Sequence, residues 1–366
     1  MEKSLMVGLT EKDMNAVIHT YDLKPYYYPT LFPLKEKQTL TWKLLEAQTG
    51  LKIAADLVAR GATGQKKTRT AIAKITGDMP KLLISRDMEE DELTEYDVMV
   101  AMTSDDPDLR ALVEVWAEDT QYCWTGIAAR AEWIALKQIS NGKVKFTNSN
   151  NAAVVTEYDV DYQMDDDQKI GVAVSWVNTT AAKPLTVDFP KAIKAAKKRG
   201  VTLKYTFMNV DTFAAFASQE EVIKKTATVI ENLTGASDMA DVESVNAYLT
   251  KKKAIYKGLQ IVVLDQDITI ELADGTQVTG NPFEDNVVLY SESNVLGNTF
   301  WKKPIDFTRR QSSKAIMAMN GHTLIKKYSE ESPVKEVTEG IANLYPAWNL
   351  SSRSILQKTD STTWNL

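Results

Sequence analysis

The chain has 366 residues, of which 44% are hydrophobic and 25% charged, with a formal net charge of −6. That balance excludes a disordered chain, and the acidic surplus excludes a protein whose main task is to grip nucleic acid through a net basic surface. A single cysteine, Cys123, excludes an intramolecular disulfide and a thiolate metal cluster, and reads as a small buried residue.

The opening "MEKSLMVGLTEKDM" has no apolar stretch of signal-peptide length, and no run of about 18 apolar residues occurs. The expectation is a soluble protein with neither a standard secretion signal nor a membrane span. Residues 1–38 read as an arm. Pro25, Pro29 and Pro33 interrupt any helix through "YYYPTLFPL", and the apolar Tyr28, Leu31 and Phe32 need a surface to lie on, their own or a neighbour's. From residue 39 to 86 the texture is strand-like ("TLTWKLLEA", "GLKIAADLVA", "TRTAIAKITGDMPKLLIS") with glycine-rich breaks, which predicts a long two-stranded excursion.

At its tip, "RGATGQKKTRT" approaches a phosphate-binding loop: Gly61, Lys67 and Thr68 have the spacing. Lys66 stands where the second glycine must let the backbone turn, so a solvated basic loop carrying Arg60, Gly61, Lys66, Lys67 and Arg69 is the better reading.

A helix of about 106–140 follows. Asp106 is its expected N-cap, Pro107 takes the first helical position, and Asn141 and Gly142 close it. Leu109, Leu112, Trp116, Cys123, Ile127 and Ile134 recur at helical spacing, with Leu112, Trp116 and Ile127 as its predicted core. At ~1.5 Å per residue this is a rod of roughly 50 Å, a spine rather than an ordinary helix. "GKVKF", "AAVVTEYDV" and "IGVAVSWVN" read as strands of an extended layer to residue 186. From 187 to 300, helices such as "DFPKAIKAAKKRG" alternate with strands such as "VTLKYTFM" and "GLQIVVLD", predicting a compact α/β lobe with a hairpin turn at Asp274-Gly275. Residues 301–366 return to the spine region and close the chain. The fold class is α+β.

Candidate chemistry is sparse. His19 and His322 are the only histidines and lie in no catalytic motif. Asp165, Asp166 and Asp167 lack the spacing of a calcium loop. Asp265, Asp267 and Glu271 in "LDQDITIE" would share one face of a strand; they are the basis of an alternative, a soluble enzyme or carbohydrate-binding protein. No catalytic residue, cofactor or metal is predicted.

The order of arm, strand excursion, spine helix, extended layer and α/β lobe resembles that of a tailed-phage shell subunit. "YYYPTLFP", "AARAEWIALKQISNGKVKF" (Arg130, Glu132, Gly142, Lys143) and "EGIANLYPAWNLSSRSILQ" (Gly340, Tyr345, Pro346, Trp348) are similar to the lambda-like major capsid protein E family. The resemblance implies the fold named after phage Hong Kong 97: N-arm 1–38, E-loop 39–86, P-domain 87–186, A-domain 187–300, and a return segment 301–366. It further implies a non-enzymatic protein that assembles into pentamers and hexamers of an icosahedral virion shell in the bacterial host cytoplasm. The expected partners are other copies of the chain, a separate scaffolding protein, a portal, a decoration protein and packaged double-stranded DNA as a passive contact. The basic tip would then dock on a neighbour's acidic run Asp87–Glu95 or on Asp105 and Asp106.

Overall fold

A computed structural model describes residues 4–5, 9–47, 72–102, 109–152, 158–227, 239–309 and 315–364. The chain forms two compact units. The first gathers residues 1–42, 77–132 and 298–347; the second gathers 43–76, 133–297 and 348–366.

The first unit is built on a six-stranded sheet. Its strands are β1 (Leu34–Glu36), β4 (Lys81–Met88), β13 (Gly297–Lys302), β14 (Ile316–Asn320), β15 (Thr323–Glu331) and β16 (Val334–Trp348). The path runs β1-β13-β16-β15-β14, and β4 also pairs with β16, antiparallel from Glu336↔Met88 to Asn343↔Lys81. Residues 81–88, expected in the excursion, therefore belong to this sheet. The excursion's described base is the hairpin of β2 (Thr41–Ala47) and β3 (Ile72–Asp78). At that base Trp42 stacks on Tyr345, with ring centroids 5.1 Å apart, and a Cβ at Gly77 would stand 2.6 Å from the Trp42 ring, so the indole fits only against glycine.

Helices α1 (Glu11–Ile18), α2 (Tyr28–Leu31), α3 (Glu90–Met102) and most of α4 (Leu109–Asn141) complete the first unit. Thr10 and Asp13 form a reciprocal capping box at the start of α1. The apolar pair Met14 and Ile18 then packs with Cys123, Trp124, Ile316, Ala318 and Ile325. Where α4 crosses β16, a Cβ at Gly340 would lie 2.7 Å from the Cys123 carbonyl oxygen. Glycine is what lets helix and strand approach that closely.

The second unit holds a five-stranded sheet of β7 (Lys169–Gly171), β8 (Tyr205–Asn209), β9 (Gln260–Leu264), β12 (Val287–Ser291) and β17 (Ile355–Lys358), in the order β7-β17-β12-β8-β9. Its helices are α5 (Phe189–Lys198), α6 (Val210–Ala217), α7 (Glu220–Thr226), α8 (Val242–Lys251) and α9 (Lys253–Tyr256). Asn209 and Asp241 cap α6 and α8 through the backbone N–H groups of Thr212 and Ser244. The sheet draws β7 and β17 from outside 187–300. Residues 172–178, read from sequence as strand, instead turn. Ala173 N–H and Trp176 Nε1–H both donate to Asp188, and Trp176 N–H donates to the Thr359 carbonyl, so these donors are satisfied without a ladder. Small hairpins pair β5 (Lys143–Lys145) with β6 (Asp159–Asp161) and β10 (Ile268–Glu271) with β11 (Gln277–Gly280). The second closes at Asp274 and Gly275, where Gly275 has φ +81°.

Candidate assembly surfaces and the arm latch

The predicted site residues fall into three groups. Arg60, Gly61, Lys66, Lys67 and Arg69, with the phosphate-loop reading attached to them, lie outside the described residues. Leu112 and Trp116 fall within α4, but their side chains lie outside the described ones; Ile127 is buried at 1% exposure. Tyr28, Leu31 and Phe32 are buried in the arm's own chain.

The arm is held by a polar latch. Glu132, itself fully buried on α4, accepts hydrogen bonds from the backbone N–H groups of Tyr27 at 3.0 Å and Tyr28 at 2.6 Å. Burial pushes its carboxyl up to about 7, against the lowering effect of those two donors. The Tyr28 hydroxyl meets Nε2 of His322 at 2.7 Å, and Nδ1 of His322 meets the Thr323 hydroxyl at 2.8 Å. Burial drops the imidazole to about 4 and raises the phenol well above its ordinary range, so both rings are neutral at pH 7. The sequence-level resemblance singled out Glu132; its function as acceptor for the arm's N–H groups needed the fold. Further along the arm, Ser4 Oγ donates to Glu336 Oε1 at 2.5 Å, and Leu5 N–H donates to Oε2 at 3.1 Å.

Beneath the spine lies a second polar cluster. Lys327 on β15 is fully buried opposite Thr338, and among the described residues its Nζ has no hydrogen-bond partner. Burial lowers its pKa, opposed by the charges of Asp119 and Glu336. Asp119 lies 3.2 Å from Arg86, and burial raises its carboxyl. Cys123 donates its thiol to the Thr338 carbonyl at 3.4 Å, and burial pushes that thiol up to about 12, which leaves it inert at neutral pH.

The alternative carboxylate site does not form. Asp265 and Asp267 occupy the exposed connection before β10, and only Glu271 lies in the strand, so alternation cannot bring the three to one face. Among the described residues no cluster of histidine, cysteine or acidic side chains could hold a metal. Asp165 and Asp167 bind Arg199 at 2.9 and 2.6 Å, an ion-pair clasp rather than a calcium loop. No described helix is long and apolar enough to cross a membrane.

The sequence profile of the phage major capsid protein E family matches residues 14–339. The chain belongs to that family. Two solved structures share its fold. One is a prophage protein of Escherichia coli CFT073 described as a capsid protein, 12% identical, with a TM-score of 0.60 over 96% of this chain and 99% of the other. The other is a phage-related protein from Bordetella bronchiseptica RB50, also 12% identical, with a TM-score of 0.56 over 96% and 97%. No curated protein matches the sequence. This phage major capsid protein has the Hong Kong 97-type fold, with α4 as its spine. Its role is structural, as the self-assembling subunit of a virion shell, not enzymatic.

Proposed function

We propose that this capsid protein assembles as pentamers and hexamers of an icosahedral head that encloses double-stranded DNA, formed in the cytoplasm of the bacterial host. Its partners in this reading are other copies of itself, a separate scaffolding protein, a portal and a decoration protein, with DNA as a passive contact. Residues 1–38 act as the N-arm, the excursion from 39 to about 80 as the E-loop, the spine and its sheet as the P-domain, and the lobe 187–300 as the A-domain at the capsomer centre. The E-loop tip with Arg60, Lys66, Lys67 and Arg69 reaches onto a neighbour.

The observation that carries this reading is the family match over 14–339. The β2–β3 hairpin supports the E-loop part, because a two-stranded excursion is marginal in water and stabilised by leaning on another surface. Negative-stain microscopy of the purified chain, with and without scaffolding protein, tests it: closed shells with five- and six-fold capsomers are expected, and a persistent monomer in both samples rejects it. Replacing residues 61–70 with a short Gly-Ser linker is expected to leave a folded monomer and no closed shells. Normal particles from that variant would remove the E-loop tip from assembly.

A further inference from the structure

The first unit carries a pocket of about 460 Å³ on which Lys37, Lys81, Lys302, Lys303 and Arg309 converge. Two carboxylates share the lining, and each is taken: Glu36 faces Lys303 at 3.8 Å and Asp306 faces Lys81 at 3.9 Å. Lys37 lies over the Phe300 ring at 4.8 Å. Among the described residues, Lys37, Lys302 and Arg309 have no carboxylate within ion-pair distance. Gathering uncompensated like charges in one concavity costs self-repulsion, and it is retained where an anion fills the site.

The same chain presents the complementary surface. Glu89 just before α3 and Glu90, Asp91 and Glu92 in its first turn are all exposed, and Glu95 follows one turn on. Among the described residues none of these has a cationic side chain in ion-pair contact; Asp87, just before them, is already bound to Lys335 at 2.6 Å. Unmatched cations in a pocket and unmatched carboxylates on a helix turn are the two halves of a head-to-tail contact. Such a contact repeats from copy to copy, and closes into a ring where its rotation closes.

We infer that the pocket receives the acidic first turn of α3 from a second copy of the chain. The mixed lining favours this occupant over a nucleic-acid backbone. Glu36 and Asp306 interrupt the cations and repel a dense row of phosphates, whereas separate side-chain carboxylates fit between them. The contact takes the first of the two acidic runs that the sequence offers the excursion's tip; the second, Asp105 and Asp106, lies outside the described residues. It rests on the shell reading only in that copies of the chain meet.

Charge-swap variants provide the test, with particle yield read by microscopy, assembly rate by light scattering, and folding by circular dichroism. Lys302→Glu with Arg309→Glu, and separately Glu90→Lys with Glu92→Lys, are each expected to stay folded and to slow assembly about tenfold or more. All four substitutions in one chain restore attraction at every copy of the contact, and are expected to recover most of the lost rate. A folded four-substitution chain no better than the two-site variants overturns the pairing, as does normal assembly of either two-site variant. Oligonucleotide binding by the parent that vanishes on Lys302→Glu with Arg309→Glu, while Glu90→Lys with Glu92→Lys assembles normally, replaces the helix turn with a nucleic acid. A parent chain that forms no shell rejects the functional reading instead; the same variants are then scored on dimer formation in sedimentation velocity, where rescue by the four-substitution chain supports the contact and its absence overturns it.

Discussion

In the second unit the core is a cluster of large apolar side chains, among them Trp176, Phe189, Phe216, Leu249 and Tyr290, and its buried carboxylates are ringed by nearby donors. Asp188 accepts from Trp176 and Ala173; Glu221 accepts from the backbone of Leu185, from Thr186 and from Lys225 at 2.7 Å. The first unit buries ionisable groups that join segments far apart in sequence. Lys327 has no hydrogen-bond partner among the described residues, and Glu132 keeps a carboxyl raised to about 7 between two backbone donors. An apolar core with local donors derives its stability from area removed from water, which is indifferent to pH. Buried charges joined across long sequence separations tie the arm and spine to the sheet at a desolvation cost, and make that unit respond to protons. The two kinds of interior should therefore separate experimentally.

The largest effect is expected in the apolar core. Phe216→Ala should lose about 3–5 kcal/mol in urea unfolding, by the same amount at pH 5 and pH 8. A pH-dependent loss would couple that core to Asp188, whose carboxyl burial raises, and undo the contrast.

Next is the latch. Because the folded pKa of Glu132 is raised from 4.5 to about 7, its favourable contribution is fully present below 4.5 and is lost as pH rises through 7. Stability of the first unit should thus fall from pH 5 to pH 8, by on the order of 3 kcal/mol. Glu132→Gln keeps an acceptor for the arm and cannot ionise, so the slope should flatten; a slope unchanged in this variant would assign the proton to another group.

Lys327→Met comes third. Removing a buried amine that has no hydrogen-bond partner among the described residues should leave stability unchanged or raise it by about 1 kcal/mol, seen as a higher midpoint of thermal unfolding. A clear loss would mean the amine's attraction to Asp119 and Glu336 outweighs its desolvation. The smallest effect on folding is expected from Lys66, Lys67 and Arg69 changed together to Glu. Their thermal midpoint should match the parent's, while assembly becomes slower and differently salt-dependent, because exposed charges are screened within ~10 Å at 0.1 M salt. A shifted midpoint would show that the tip packs on its own chain.

The sequence made some elements legible and hid others for identifiable reasons. The spine was readable from Ile127 and its helical repeat, and its end from Gly142, whose φ of +79° suits glycine. The Asp274-Gly275 turn was equally plain. Helix α3 leaves no helical signal because its acidic first turn reads as a solvated charge run, and 172–178 reads as strand because Val172, Val174 and Val177 favour it, while Asp188 and Thr359 supply other acceptors. The basic pocket drew on Lys37, Lys81, Lys302, Lys303 and Arg309, which no local pattern links.

By itself the sequence determined the class of the chain, its spine, its α/β lobe and its family, since helical period, capping residues and turn glycines act between residues close along the chain. The tertiary structure alone decided that β4 pairs with β16, that Glu132 receives the arm's N–H groups, that Lys327 is buried without a hydrogen-bond partner among the described residues, and that scattered cations meet in one pocket. Those outcomes depend on which distant segments share a surface. That choice is made by summed burial and steric fit, such as the close approach allowed at Gly340, and leaves no periodic trace in the chain.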